Sequence, residues 1–252
     1  MESFALEMLR SGRRIDGRGF EEFRKIEIIP NIVEKAEGSA EVRLGKTKVA
    51  AGVKLDVGQP FKDSPEEGIL IVNAEFSPIA SPEFEPGPPG EDAIELARVV
   101  DRAIRESECI DFSKLCITPG EKVWIIFIDI HILDDHGNLL DASALASLVA
   151  LMHTRIPKFE NDEIVRGEYM GKLEVDHKPI VISMAKTLNH ILVDPTLEEE
   201  EIAECLMSFC IREDGKICAI QKRGGRELSL EDIEKMIEIA SKKSEEIRRL
   251  LE

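Results

Sequence analysis

Arg98, Arg102 and Arg105 lie four and then three residues apart in "ELARVVDRAIRES" (95–107). The chain around them carries 50 Asp and Glu against 33 Lys and Arg, a formal net charge of -17. A guanidinium is a planar fork of five N–H donors that matches two oxygens of a phosphate. Repeated one helical turn apart, such forks fit a chain of phosphates, so the chemistry on offer is polyanion binding rather than bond breaking. On a wheel of about 100° per residue, Ala93, Leu96, Ala97, Val99, Val100, Ala103 and Ile104 gather on one broad face. The three arginines gather opposite, within about 60° of one another. The competing reading is a solvated helix face. Asp101 stands four residues before Arg105, the favourable order for an ion pair, Glu95 can relieve Arg98, and Glu106 can relieve Arg102 in the poorer orientation. Arg98 and Arg102 themselves are an i,i+4 like-charge pair, which costs roughly 0.2–0.5 kcal/mol unscreened. Surface charge is common and energetically cheap, so charge logic leaves both readings open.

Other chemistries lack their residues. There is no P-loop, no dinucleotide-type Gly-rich loop and no Gly-x-Ser-x-Gly elbow. His131, His136, His153, His177 and His190 are scattered. "DDHGN" (134–138) reads as a β-turn rather than a metal loop, because Gly and Asn tolerate positive φ. Cys109, Cys116, Cys205, Cys210 and Cys218 form no Cys-x-x-Cys pair and are expected as buried thiols. With one Trp and one Tyr there is no base-stacking platform. These residues contain no convincing catalytic constellation, and no metal or cofactor is expected. A sequence pI near 4.9 argues against nonspecific nucleic-acid binding by the surface as a whole. A polyanion must be met by a local patch, or by one completed by another chain. "MESFALEMLRSGRR" has Glu2 and Glu7 and no apolar h-region, so it is not read as a signal peptide. Val123 to Leu133 is interrupted by Asp129 and His131 and is too short to span a bilayer. No membrane association and a cytoplasmic location are expected.

The elements that must position the arginines follow from periodicity. Residues 1–10 read as an amphipathic helix. Ile26 to Val57 alternates as strands with turns at Gly38 and Gly45, and 68–77 is a further strand. "PIASPEFEPGPPGED" (78–92) is too rich in Pro and Gly for regular structure. A helix over 93–108 carries the arginines. "KVWIIFIDIHILDDHGN" is a long buried strand, and "LLDASALASLVALMHT" is a helix apolar nearly all round and therefore central. "KPIVISMAKTLNHILVD" and "CLMSFCIREDGKICAIQKRGG" read as hairpins flanking a helical turn, with Glu198 to Glu201 as a solvated charge run. A long C-terminal helix starts at a capping-box-like Ser229 and Asp232. Hairpins followed by helices argue for α+β rather than a doubly wound sheet. The division expected is one domain over 1–252, with an N-terminal half of about 1–157 and a C-terminal half of about 158–252.

"SGRRIDGRGFEEFR" (11–24) resembles the "R-x-D-G-R" signature of the RNase PH family of phosphorolytic 3′-to-5′ exoribonucleases. "VNAEFSPIASPEFEPGPPGEDAIELARVVDRAIRES" and "DDHGNLLDASALASLVAL" resemble one branch of it, the non-catalytic ring subunits of the archaeal exosome (the forty-two type). The resemblance covers nearly the whole chain, and the loop-plus-helix block is its specific part. It implies the RNase PH (ribosomal protein S5 domain 2-like) fold of two β-α halves. It implies a trimer of heterodimers with a catalytic RNase PH-like paralogue, RNA in the channel, S1- or KH-type cap subunits, and inorganic phosphate as co-substrate at the partner's site. On an ungapped comparison, Leu139 stands where the active paralogue has a phosphate-holding Arg, and Leu206 where it has an essential Asp. An apolar side chain neither transfers a proton nor holds a metal. The resemblance therefore implies no catalytic residues here. It implies RNA-backbone contacts at Arg98 and Arg102, with Arg105 less committed because Asp101 occupies it. A self-sufficient phosphorolytic exoribonuclease and a pure ring scaffold without RNA contact are the competing readings.

Overall fold

The computed structural model describes the backbone of residues 2–251 and the side chains of 4–251. Two sheets sandwich a central helix. The first sheet contains β1 (Ile26–Pro30), β2 (Gly38–Leu44), β3 (Thr47–Gly58), β4 (Ile69–Phe76), the short β5 (Cys116–Thr118) and β6 (Lys122–Asp134). Its order is β1-β2-β3-β6-β4, with β5 paired to one end of β6. All pairs are antiparallel except β4 with β6. The second sheet has the order β10-β9-β11-β12, from β9 (Ile180–Thr187), β10 (His190–Val193), β11 (Cys205–Ile211) and β12 (Ile217–Arg223). This is the α+β arrangement that the hairpin grouping predicts.

The helix α3 (Leu139–Met152) is buried at every position from Asp141 to Leu151. It packs on β2 and β3 of one sheet and β9 of the other, so its all-round apolar sequence has a partner on each side. Residues of both sheets belong to one hydrophobic cluster. The charged exception is Asp141, which accepts from Ser183 N (2.9 Å), Ser183 Oγ (2.6 Å) and Asn138 Nδ2 (3.0 Å) and so fastens α3 to β9. Gly38 admits the other contact. A Cβ there would lie 2.3 Å from Ala150 O and from Thr154 Oγ1. We expect Gly38→Ala to lower stability by about 1–3 kcal/mol, as overpacking against backbone does, measurable as a fall in denaturant midpoint without loss of fold.

The remaining helices pack on the sheets. α2 (Glu91–Glu106) packs on β4, α3 and β12, and the C-terminal helix α5 (Leu230–Arg248) packs on β9 and β11. α5 is capped by Ser229, whose Oγ accepts from Asp232 N at 3.1 Å. α1 (Glu2–Arg10) leans on the five-residue α4 (Leu197–Glu201), and its Ala5 and Leu9 join a small cluster with Ala185, Leu192 and Ile202. Met1, the start of the expected first helix, lies outside the described residues.

Four features differ from the sequence reading. α2 begins and ends two residues earlier than expected. A hairpin of β7 (Arg155–Glu160) and β8 (Glu163–Lys172), absent from that reading, connects the two sheets. β8 is mostly solvent-exposed along its length, so it has no buried face to generate alternation. Cys109, Cys205 and Cys210 are buried as expected, but Cys116 and Cys218 are half-buried because they sit on the short β5 and the edge strand β12. The charge run is not solvated throughout: Glu199 is 1% exposed, drawn inward by an arginine described below.

Candidate nucleic-acid interface

α2 forms without a side-chain N-cap. Glu91 and Asp92 in its first turn complement the helix dipole, and Ser107 Oγ closes its end by donating to Ile104 O at 3.0 Å. Ala93, Leu96, Ala97, Val100, Ala103 and Ile104 are buried, which fixes the rotation of the helix and turns Arg98, Arg102 and Arg105 outward. The three arginines line one shallow cleft of about 310 Å³ with Val72, Asp101 and Glu106.

Their environments differ. Arg105 donates to both Asp101 oxygens (2.8 and 3.2 Å) and to Leu70 O (3.3 Å), and its guanidinium carbon lies 5.5 Å from the Phe112 ring centroid. The Asp101 carboxylate holds the Arg105 pKa above its usual range. Among the described residues, Arg98 and Arg102 have neither an ion pair nor a side-chain hydrogen bond. The relief expected from the acids is absent. Glu95 turns away and accepts from Gln221 Nε2 at 3.1 Å, and Glu106 makes no ion pair among the described residues. The helix thus holds two unpaired guanidinium groups one turn apart, the arrangement suited to successive phosphates.

The opposite flank of α2 borders a second cavity, of about 240 Å³, in which Leu139 and Leu206 both take part. Sequence comparison names these two positions separately, and the fold brings them together. The turn beside them has Gly137 at φ +85° and Asn138 at +56°, with Asp135 Oδ1 accepting from Gly137 N at 2.9 Å. A Cβ on Gly137 would fall 2.4 Å from Leu197 N, so the turn is pressed against α4. The ionisable side chains around this cavity are Glu83, Asp92, Glu95, Asp135 and Glu200 against a single Arg223. That charge balance repels phosphate. Burial pushes the Glu200 carboxyl up to about 7, against the Asn138 N–H and Arg223, and raises Asp135 as well.

The "RIDGR" segment has a different task, which sequence reasoning missed. Arg14 is fully buried. Its Nε and Nη2 meet the two Glu199 oxygens (2.8 and 2.5 Å), and it also donates to Val193 O and Asp194 O, each at 2.9 Å. Arg18 Nη1 reaches Asp194 Oδ2 at 2.9 Å, and Arg24 grips both Asp194 oxygens (2.6 and 2.9 Å). Burial works against the Arg24 charge, but Asp194 overrides it and holds the pKa above the usual range. Arg24 also donates to His136 O (2.8 Å) and Gly137 O (3.1 Å), so the same cluster supports the turn that lines the second cavity. The only sequence signal was the density of arginines at 13, 14, 18 and 24 in an acidic chain.

A two-sheet α+β molecule of this kind has counterparts of known family. The profile of the 3′ exoribonuclease family, domain 1, matches residues 22–157, and that of domain 2 matches residues 177–243. The chain belongs to this family. It is 49% identical over 255 residues to the exosome complex component Rrp42 of Thermococcus gammatolerans, covering 100% of this chain and 93% of the relative. It is 51% identical over 247 residues to the protein of the same name from Methanopyrus kandleri, covering 97% and 92%. Its fold superposes with a TM-score of 0.94, at 49% identity over 100% of this chain and 97% of the other, on a chain of the Archaeoglobus fulgidus exosome with RNA bound to the active site. Among the described residues no helix is long and apolar enough to cross a membrane.

Proposed function

We propose that this chain is a non-catalytic, RNA-binding subunit of an archaeal exosome ring. It alternates with three copies of a catalytic RNase PH-like paralogue and guides the 3′ end of RNA into the partner's active site for phosphorolysis. Arg98 and Arg102 neutralise the last backbone phosphates, Arg105 stays with Asp101, and inorganic phosphate is the partner's co-substrate. S1- or KH-type caps complete the complex in the cytoplasm. The observation that carries this reading is the pair of unpaired guanidinium groups on α2 in a chain of net charge -17. Such a chain attracts RNA only along a local cationic path.

Two further features support it. Leu139 and Leu206, which the resemblance sets where the active branch has an Arg and an Asp, line the second cavity with apolar side chains, which argues against a self-sufficient enzyme. β1 and β4 end the first sheet, and open sheet edges call for cover by another element or chain. The test uses this chain alone, the catalytic paralogue alone and the mixture, read by native mass and by phosphate-dependent release of nucleoside diphosphates. We expect no release from this chain alone, a ring in the mixture, and faster release from the ring than from the paralogue. Robust release by this chain alone, or a strictly monomeric mixture, overturns the proposal.

A further inference from the structure

Two thiols with no part in the RNA reading meet in the β11–β12 hairpin. Cys210 of β11 pairs with Ala219, and Ile211 pairs with Ile217, so Cys218 is an extra residue between the two pairs. A bulge of this kind sets two residues of one strand against one of the other. Cys218 and Ala219 thus oppose Cys210 at about the 4.5–5.5 Å Cα separation of an antiparallel pair, inside the range of about 4.4–6.8 Å that a disulfide spans. The surroundings of the two thiols differ. Cys210 is 2% exposed, and its Sγ lies 3.8 Å from Ala103 O of α2. Cys218 is half-buried. The Cys210 thiol donates to the Cys218 sulfur, which raises the Cys210 pKa and, against burial, holds that of Cys218 below its usual range. Arg212 also favours the Cys218 thiolate, and Asp214 opposes it. The Arg212 guanidinium is fixed by donating to Ser107 O (3.4 Å), Glu108 Oε2 (3.1 Å) and Asp214 Oδ2 (3.1 Å). A partly exposed thiolate beside a cation and against a second thiol is the reactive kind of cysteine. Cys109, the third thiol of this region, is fully buried, and burial pushes its pKa up to about 12, so it stays inert.

We propose that Cys218 and Cys210 are a redox-active dithiol, Cys218 being the thiol that attacks a peroxide and Cys210 the thiol that resolves the product as a disulfide. In the first step the Cys218 thiolate attacks one oxygen of hydrogen peroxide. The O–O bond breaks, hydroxide leaves and takes up a proton as water, and Cys218 becomes a sulfenic acid. In the second step the Cys210 sulfur attacks that of Cys218. The S–O bond breaks, the S–S bond forms, and a second water leaves with the Cys210 proton. Two thiols and one peroxide give one disulfide and two waters, with two electrons passing from sulfur to oxygen. A thiol reductant reverses the closure. While closed, the bond ties the edge strand β12 to β11. This inference is independent of the RNA reading, since neither thiol lines the arginine cleft or the cavity beneath α2.

The experiment exposes the folded full chain to hydrogen peroxide, blocks the remaining thiols with iodoacetamide and maps the tryptic peptides by mass without reduction. Trypsin cuts after Arg212 and Lys216, so Cys210 and Cys218 fall on different peptides and a bond between them is read as one linked pair. Cys205 shares the peptide of Cys210, and a parallel map of Cys205→Ser removes that ambiguity. We expect the Cys210–Cys218 pair as the dominant product, its loss on adding dithiothreitol, and slower hydrogen exchange along β12 in the oxidised chain. Cys210→Ser should stop the reaction at the Cys218 sulfenic acid, which dimedone traps, and Cys218→Ser should leave Cys210 reduced. Before oxidation, Cys218 should alkylate about tenfold faster than Cys116, which is also half-buried. A linked pair that forms only in urea, pairing of Cys218 with a different cysteine, or peroxide treatment that leaves both thiols of the folded chain free overturns the proposal. The map of the parent chain decides even where a variant fails to fold.

Discussion

Changing Arg98 and Arg102 together to glutamate should flatten the dependence of RNA affinity on salt while leaving the ring assembled. Each phosphate contact to single-stranded RNA contributes a slope of about -0.7 in log affinity against log salt. Loss of two contacts should reduce the slope by at least ~1.4. Degradation should fall although the catalytic subunit is unaltered. Assembly should survive because the side chains that seat α2, from Ala93 to Ile104, are on its other face. Arg105→Ala is the internal comparison. Its guanidinium is engaged by Asp101, Leu70 O and the Phe112 ring, so its removal should change RNA binding less than the double substitution. A double-variant ring that binds and degrades RNA like the parent at every salt concentration would reduce the arginine face to solvated surface, and the scaffold reading would stand.

Arg14→Ala should be among the most destabilising single changes in the chain. It strands the Glu199 carboxylate at 1% exposure and removes donors from Val193 O and Asp194 O. Breaking one partner of a buried ion pair costs about 3–5 kcal/mol, because the charge left behind has almost no solvent and no counter-charge. Replacing both partners, Arg14→Met with Glu199→Leu, should recover part of that loss. It will not recover all of it, since Glu199 also completes a capping box with Thr196 at the start of α4. Denaturant unfolding of Arg14→Met, Glu199→Leu and the double variant provides the cycle. A single-variant loss below about 1 kcal/mol would be incompatible with a fully desolvated pair.

What sequence makes legible here is whatever periodicity or covalent chemistry states locally. α3 announces its central place because an all-round apolar helix has to be covered on every side, and α2 announces its arginine face because its buried residues recur at helical spacing. The DDHGN turn is legible from Gly137 and Asn138, both at positive φ. Glu199 is not legible: a run of four glutamates looks solvated unless one knows that Arg14, 185 residues away, will enclose one of them. The hairpin of β7 and β8 is equally silent, because β8 is exposed along most of its length and carries no alternation. The meeting of Leu139 and Leu206 in one cavity is a property of topology, joining a helix start to a strand from the other sheet. Composition carries no trace of it.

The Asp194 cluster has a consequence for how the chain is made. Arg24 leaves the ribosome 170 residues before the carboxylate that neutralises it, and Arg18 leaves 176 residues before. At synthesis rates of about 5–20 residues per second, these arginines wait roughly ten to thirty seconds for their partner. During that interval the first sheet can pair its own strands, but the "RIDGR" segment has nowhere to dock. It becomes a closing strap, fastened only when the strand leading to Asp194 has been added. The order of synthesis therefore makes this segment, completed long before its partners, one of the last to take its place.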